Sequence, residues 1–106
     1  MPRTSHHLPR TIRMFESKFP DVWAQYRALR DGCDHVGPLT PKTRELIKIG
    51  MEVAKKRHGG LVAHIRRAQA AGAAKAEIYQ AILLAVPLVG MPDVLDAFLV
   101  AKKKLG

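Results

Sequence analysis

Apolar residues in this chain return every three or four positions, and prolines and glycines cut the pattern into short pieces. That combination leaves room for helices of a few turns and for little else. A strand would need strict alternation over several residues, and no stretch shows it. The expected fold class is therefore all-α, with about six helices. Residues 1–9 lack the pattern and are expected to form a flexible arm, followed by a single helical domain over 10–106.

The first helix is predicted over about 10–18, and Pro20-Asp21 opens a second that runs to about Arg30, with Trp23, Tyr26 and Leu29 on one face. Gly32, Gly37 and Pro38 mark a loop. Thr40-Pro41 starts the third helix with a threonine cap and a proline at the first helical position, where a missing N–H costs nothing. It is expected to run to about Arg57, broken by Gly59-Gly60. Leu46, Ile49 and Val53 form one stripe on it, with Ile47, Met51 and Ala54 on an adjoining one. So wide an apolar arc requires neighbours on two sides, which makes this helix central.

A fourth helix is predicted from about Leu61 to Ala71, closed by Gly72, and a fifth from about Lys75 to Val89. The fifth has Glu77 at the N3 position but Ala74 as a poor cap. Its second half is apolar all round, so it calls for deep burial or a subunit interface, and Pro87 should kink or shorten its last turn. Pro92-Asp93 opens the sixth, with Val94, Leu95, Phe98 and Leu99 expected to face inward. With 47% hydrophobic residues, few of them aromatic, in only 106 positions, part of the apolar surface is expected to be covered by a second subunit.

The formal net charge of +9 raises the question of nucleic acid. The basic residues are scattered, however, without interleaved aromatics or a recognisable binding motif, so a solvated basic surface is the preferred reading. The single cysteine, Cys33, rules out a disulfide within the chain and favours a reducing, cytoplasmic setting. No signal-peptide pattern stands at the N-terminus, and Pro87, Pro92, Asp93 and Asp96 interrupt the most apolar stretch, 81–101, which argues against a membrane span. No metal is expected: His6-His7 and His58 lack further ligands around them.

His64 is the leading site candidate. On the fourth helix it shares a face with Leu61, Ala68 and Ala71, so its imidazole points to the apolar side, while Arg66 and Arg67 point elsewhere. A histidine there is either a hydrogen-bonded core residue or a proton-transfer group. Glu45 flanks the Leu46-Ile49-Val53 stripe and is either a surface glutamate favoured by the helix dipole or a partner for that imidazole. Together, a carboxylate and an imidazole make a general base.

The run 39–47 (Leu-Thr-Pro-Lys-Thr-Arg-Glu-Leu-Ile), followed by His64-Ile65-Arg66-Arg67-Ala68, Ala71-Gly72-Ala73, Glu77-Ile78, Gly90-Met91-Pro92 and Asp96-Ala97, resembles the carboxymuconolactone decarboxylase family of the alkylhydroperoxidase D-like superfamily. The order and spacing of these pieces carry the resemblance, over about residues 15–100. It implies an orthogonal bundle of about six helices assembled as a homo-oligomer, a trimer or a hexamer. In the peroxidase branch a glutamate is followed twelve residues later by Cys-x-x-Cys, then by a histidine four residues on. The glutamate and histidine correspond to Glu45 and His64; the cysteine positions hold Arg57 and Gly60. Dithiol peroxidase chemistry, which needs an attacking and a resolving thiol, is thus not expected.

The decarboxylase branch does without those cysteines, and its resemblance implies acid–base chemistry on a small carboxylated or lactone metabolite, without a cofactor. His64 would transfer the proton and Glu45 would orient it, with Arg44 and Arg67 as weaker candidates for binding substrate carboxylates. Two alternatives stand beside this carboxy-lyase-like reading. One is a non-catalytic oligomeric binding or structural protein of the same fold. The other, third in order, is nucleic-acid binding through the basic surface.

Overall fold

The computed structural model describes residues 7–106, with side chains from Pro9 onward. Every regular element in it is a helix, in line with the all-α expectation: α1 (His7–Lys18), α2 (Pro20–His35), α3 (Pro41–Ala54), α4 (His58–Ala70), α5 (Lys75–Leu83), α6 (Val86–Val89) and α7 (Met91–Leu105). Contacts divide the chain into two units, Met1–Leu39 and Thr40–Gly106, where the sequence reading takes 10–106 as one domain. Residues 1–6 of the expected arm lie outside the described residues, and 7–9 already belong to α1.

In the first unit α1 and α2 pack on each other through aromatic rings. Phe15 lies 5.2 Å from Phe19 and 6.0 Å from Trp23, and Trp23 lies 5.2 Å from Tyr26, all between centroids. These are ordinary edge and tilted ring contacts. Pro20 occupies the first turn of α2, as its fixed φ favours. The helix then runs through Gly32 to His35, past the expected end at Arg30, and the His35 ring lies 2.7 Å from the Asp31 carbonyl. No residue of α2 is buried.

The second unit has a conventional core. Ile49 and Val53 of α3, Leu61, Ile65 and Ala68 of α4, Ile78 and Ile82 of α5, Ala85, and Val94, Ala97, Ala101 and Leu105 of α7 form one buried cluster. As its pattern requires, α3 touches α4, α5 and α7. The Thr40 hydroxyl accepts a hydrogen bond from the Thr43 N–H at 3.2 Å, and Pro41 follows in the first turn. Gly72 ends α4 with φ of +96°, a conformation that L-residues with a Cβ rarely adopt.

Several boundaries depart from the expectation. The third helix stops at Ala54 rather than near Arg57, because Lys56 turns into the left-handed region with φ of +59°. Gly59-Gly60 therefore does not break a helix but forms part of the first turn of α4. The fifth helix splits at Leu84-Ala85 into α5 and α6, since Pro87 lacks the N–H that a continuous helix would need. Its second half is not uniformly buried: Ile82 and Ala85 are, but Leu83, Leu84 and Leu88 are exposed. In α7 the inward stripe is Val94, Ala97, Ala101 and Leu105, and Leu95, Phe98 and Leu99 are at least half exposed or close to it. Spacing of three, four and four keeps that stripe on one face, and the small alanines allow α7 to approach α4 and α5. No helix among the described residues is long and apolar enough to cross a membrane.

Candidate functional site

Glu45 and Glu52 lie seven residues, almost two full turns, apart on α3, so both project from the side that also carries Ile49. That side meets α4, where Gly60 and His64 are four residues apart and share a face. The two helices run antiparallel here, with Glu45 opposite His64 and Glu52 opposite Gly60.

Glu45 is the one charged residue in the buried class among the described residues. Its Oε1 lies 2.6 Å from Nδ1 of His64, a short charge-assisted contact in which the ring N–H donates to the carboxylate. Burying a carboxylate is costly unless it is paired, and the imidazole supplies the pair. The other ring nitrogen, Nε2, lies 3.5 Å from Glu52 Oε2. His64 is thus flanked by a carboxylate on each edge, and all three side chains are mostly shielded from solvent. Glu52 in turn lies 3.6 Å from Nε of Arg57, whose side chain is more than half exposed. The polar line Glu45–His64–Glu52–Arg57 therefore runs from the core boundary outward.

The structure brings the predicted Glu45 and His64 into direct contact. It does not treat the predicted arginines alike: Arg44 is partly buried on α3, and Arg67 is exposed in the last turn of α4. Arg57 places a cation 3.6 Å from Glu52, on this carboxylate–imidazole line. Glu52 was absent from the sequence-derived candidates, although its seven-residue offset from Glu45 puts it on the same face and was available as a signal. Among the described residues no three His, Cys, Asp or Glu side chains are grouped to hold a metal ion; His6 and the His7 side chain lie outside them. Cys33 is exposed on α2.

The opposite side of α3 faces a groove of about 520 Å³, lined on α3 by Leu46, Ile47, Gly50, Met51 and Ala54 and across from them by Ala81, Leu84, Leu88 and Val89. Thr43, Glu77 and Gln80 give it one polar end. Neither His64 nor Glu45 lines this groove.

Compared with known protein families, residues 20–103 match the model of the carboxymuconolactone decarboxylase family. A search among curated proteins finds no match. The family match covers about half of the first unit and nearly all of the second, from the first residue of α2 into the last turn of α7, and the chain belongs to the carboxymuconolactone decarboxylase family.

Proposed function

From that membership we propose that the protein carries out acid–base chemistry on a small carboxylated or lactone metabolite, in the manner of a carboxy-lyase. The observation that carries the reading is the 2.6 Å contact between His64 Nδ1 and Glu45 Oε1. A carboxylate accepting from Nδ1–H fixes the ring's orientation and tautomer, which leaves Nε2 as the nitrogen that exchanges protons with substrate. Loss of carbon dioxide from a small acid leaves electron density that has to be delocalised and then protonated. An oriented imidazole is suited to the second task, and a cation at the mouth of the site is suited to the substrate's carboxylate. Arg57, 3.6 Å from Glu52, is the candidate for that cation. Arg44 and Arg67 are the other candidates for that role. Dithiol peroxidase activity is not part of the reading, because the chain has one cysteine.

The test is a screen of small carboxylated lactones and related acids for carbon dioxide release, followed by His64→Gln and Glu45→Gln in the responding assay. General acid–base groups contribute typically about 10²–10⁴-fold. His64→Gln should remove that factor, and Glu45→Gln a smaller part of it. A His64→Gln protein with undiminished turnover would sink the assignment.

A homo-oligomer belongs to the same proposal. It is supported by the exposed apolar side chains of the second unit, among them Met51, Leu84 and Leu88 on the groove of α3, α5 and α6. Large apolar surface of this kind is commonly a contact surface between subunits.

A further inference from the structure

Glu52 is oddly placed for a surface glutamate. Its side chain is mostly shielded, and its Oε1 is buried without a hydrogen-bond partner among the described residues. The nearest cation, Arg57 Nε, is 3.6 Å from that oxygen, too long for a hydrogen bond. Buried carboxylate oxygens are seldom left in this state, and each instance calls for an explanation beyond packing. The other oxygen faces His64 Nε2 at 3.5 Å.

The opposing helix is shaped to admit the carboxylate. A Cβ placed on Gly60 would fall 2.5 Å from Glu52 Cδ, 2.5 Å from Oε2 and 2.7 Å from Oε1. No side chain at position 60 is compatible with Glu52 where it stands. The obstructed atoms are the far end of a flexible side chain, however, so a residue with a Cβ would displace the carboxylate rather than the helices. Glycine also costs helix stability relative to alanine. Its presence in the first turn of α4, opposite Glu52, is therefore matched to the carboxylate and not to the helix.

We propose that Glu52 is a second positioning residue of the site, its carboxylate facing the Nε2 edge of His64 at 3.5 Å as an electrostatic counterpart to the hydrogen bond of Glu45 at Nδ1, with Gly60 as the notch that admits it. The functional meaning rests on the acid–base reading of His64, but the geometry can be tested without a substrate. Flanked by a carboxylate on each edge, the imidazole is biased toward one ring plane. Glu52 acts through His64.

The experiment is a long-range ¹H–¹⁵N correlation spectrum of the intact, ¹⁵N-histidine-labelled protein, with the His64 ring assigned from its loss in His64→Gln. It compares wild type with Glu52→Gln, which is isosteric, and Gly60→Ala, which removes the contact without changing charge. Both variants should move the His64 Nε2 resonance in the same direction, and Nδ1 should move less; Glu45→Gln should give the reverse pattern. An Nε2 resonance unchanged in folded Glu52→Gln would overturn the proposal, and this variant decides alone should Gly60→Ala not fold. In a responding assay, Glu52→Gln should lower kcat severalfold with KM little changed, and Glu52→Asp should recover part of it. Turnover that survives His64→Gln would remove the acid–base reading and leave the resonance result standing, so the two failures are distinguishable.

Discussion

At the scale of single residues, Glu77 joins two elements with one carboxylate. Its Oε1 accepts from the Ala74 N–H at 2.9 Å, and its Oε2 accepts from Lys42 Nζ at 3.1 Å, tying the start of α5 to the first turn of α3. The backbone N–H, and after it the Lys42 ammonium, favour the ionised form and hold the Glu77 pKa below its ordinary value of 4.5. A carboxylate with a lowered folded-state pKa binds fewer protons when folded than when unfolded. Its contribution is thus complete above its ordinary pKa and disappears as pH falls through the lower, folded value. Melting temperature followed downward from neutral pH should fall less in Glu77→Gln than in wild type below about pH 4.5, and match its slope above. Parallel curves across the whole range would remove Glu77 from the acid response. Residue by residue, the site was legible in uneven measure. Glu45 and His64 could be found because one flanks an apolar stripe and the other stands on one. Glu52 escaped because a glutamate near a helix end, beside Lys55, Lys56 and Arg57, reads as part of a solvated charged surface. Only the absence of a Cβ on the facing helix makes its burial possible, and that is a relation between two elements.

At the scale of elements, α3 and α5 contrast in how they begin. Thr40 closes the first turn of α3 with its hydroxyl at 3.2 Å from the Thr43 N–H. Ala74 holds the equivalent place on α5, in an extended conformation suited to a cap, but has no side-chain acceptor to offer. Glu77 supplies the return half of a capping box alone. Ala74→Ser should complete it and stabilise the protein by about 0.5–1 kcal/mol, raising the melting temperature by roughly 2–6 °C in a thermal scan. The N3 N–H, that of Glu77, bonds the Ala74 carbonyl at 3.0 Å, so no rise, or a fall, would mean that the serine hydroxyl does not improve on that bond. Caps such as Thr40-Pro41 were readable because their chemistry is local. Breaks were harder. Lysine carries no signal for the left-handed turn it makes at position 56, whereas Gly59-Gly60 carries a strong breaker signal and lies inside a helix. The packing of α4 against α3 overrides a propensity difference of about 1 kcal/mol per glycine.

At the scale of the molecule, apolar exposure and net charge pull in opposite directions. Met51, Leu84 and Leu88 stand open on one groove, Leu88 at 85% exposure, while the chain carries a formal charge of +9. If these side chains are covered by further copies of the chain, like charges are brought together, and the repulsion has to be screened. Added salt should therefore strengthen self-association, moving the sedimentation profile toward multiples of 11.7 kDa. Nucleic-acid binding responds the other way, since salt removes the counterion-release advantage on which it depends. One salt series thus separates self-association through the groove from nucleic-acid binding through the basic residues. Leu88→Glu should weaken assembly by about 2–3 kcal/mol, or roughly 30–150-fold in dissociation constant, by forfeiting one buried leucine and adding a charge at the contact. Heparin retention lost on raising salt, together with a monomer at every salt concentration, would reverse the assignment: the basic residues would then be the working surface, and the apolar groove would have to be explained without a second subunit.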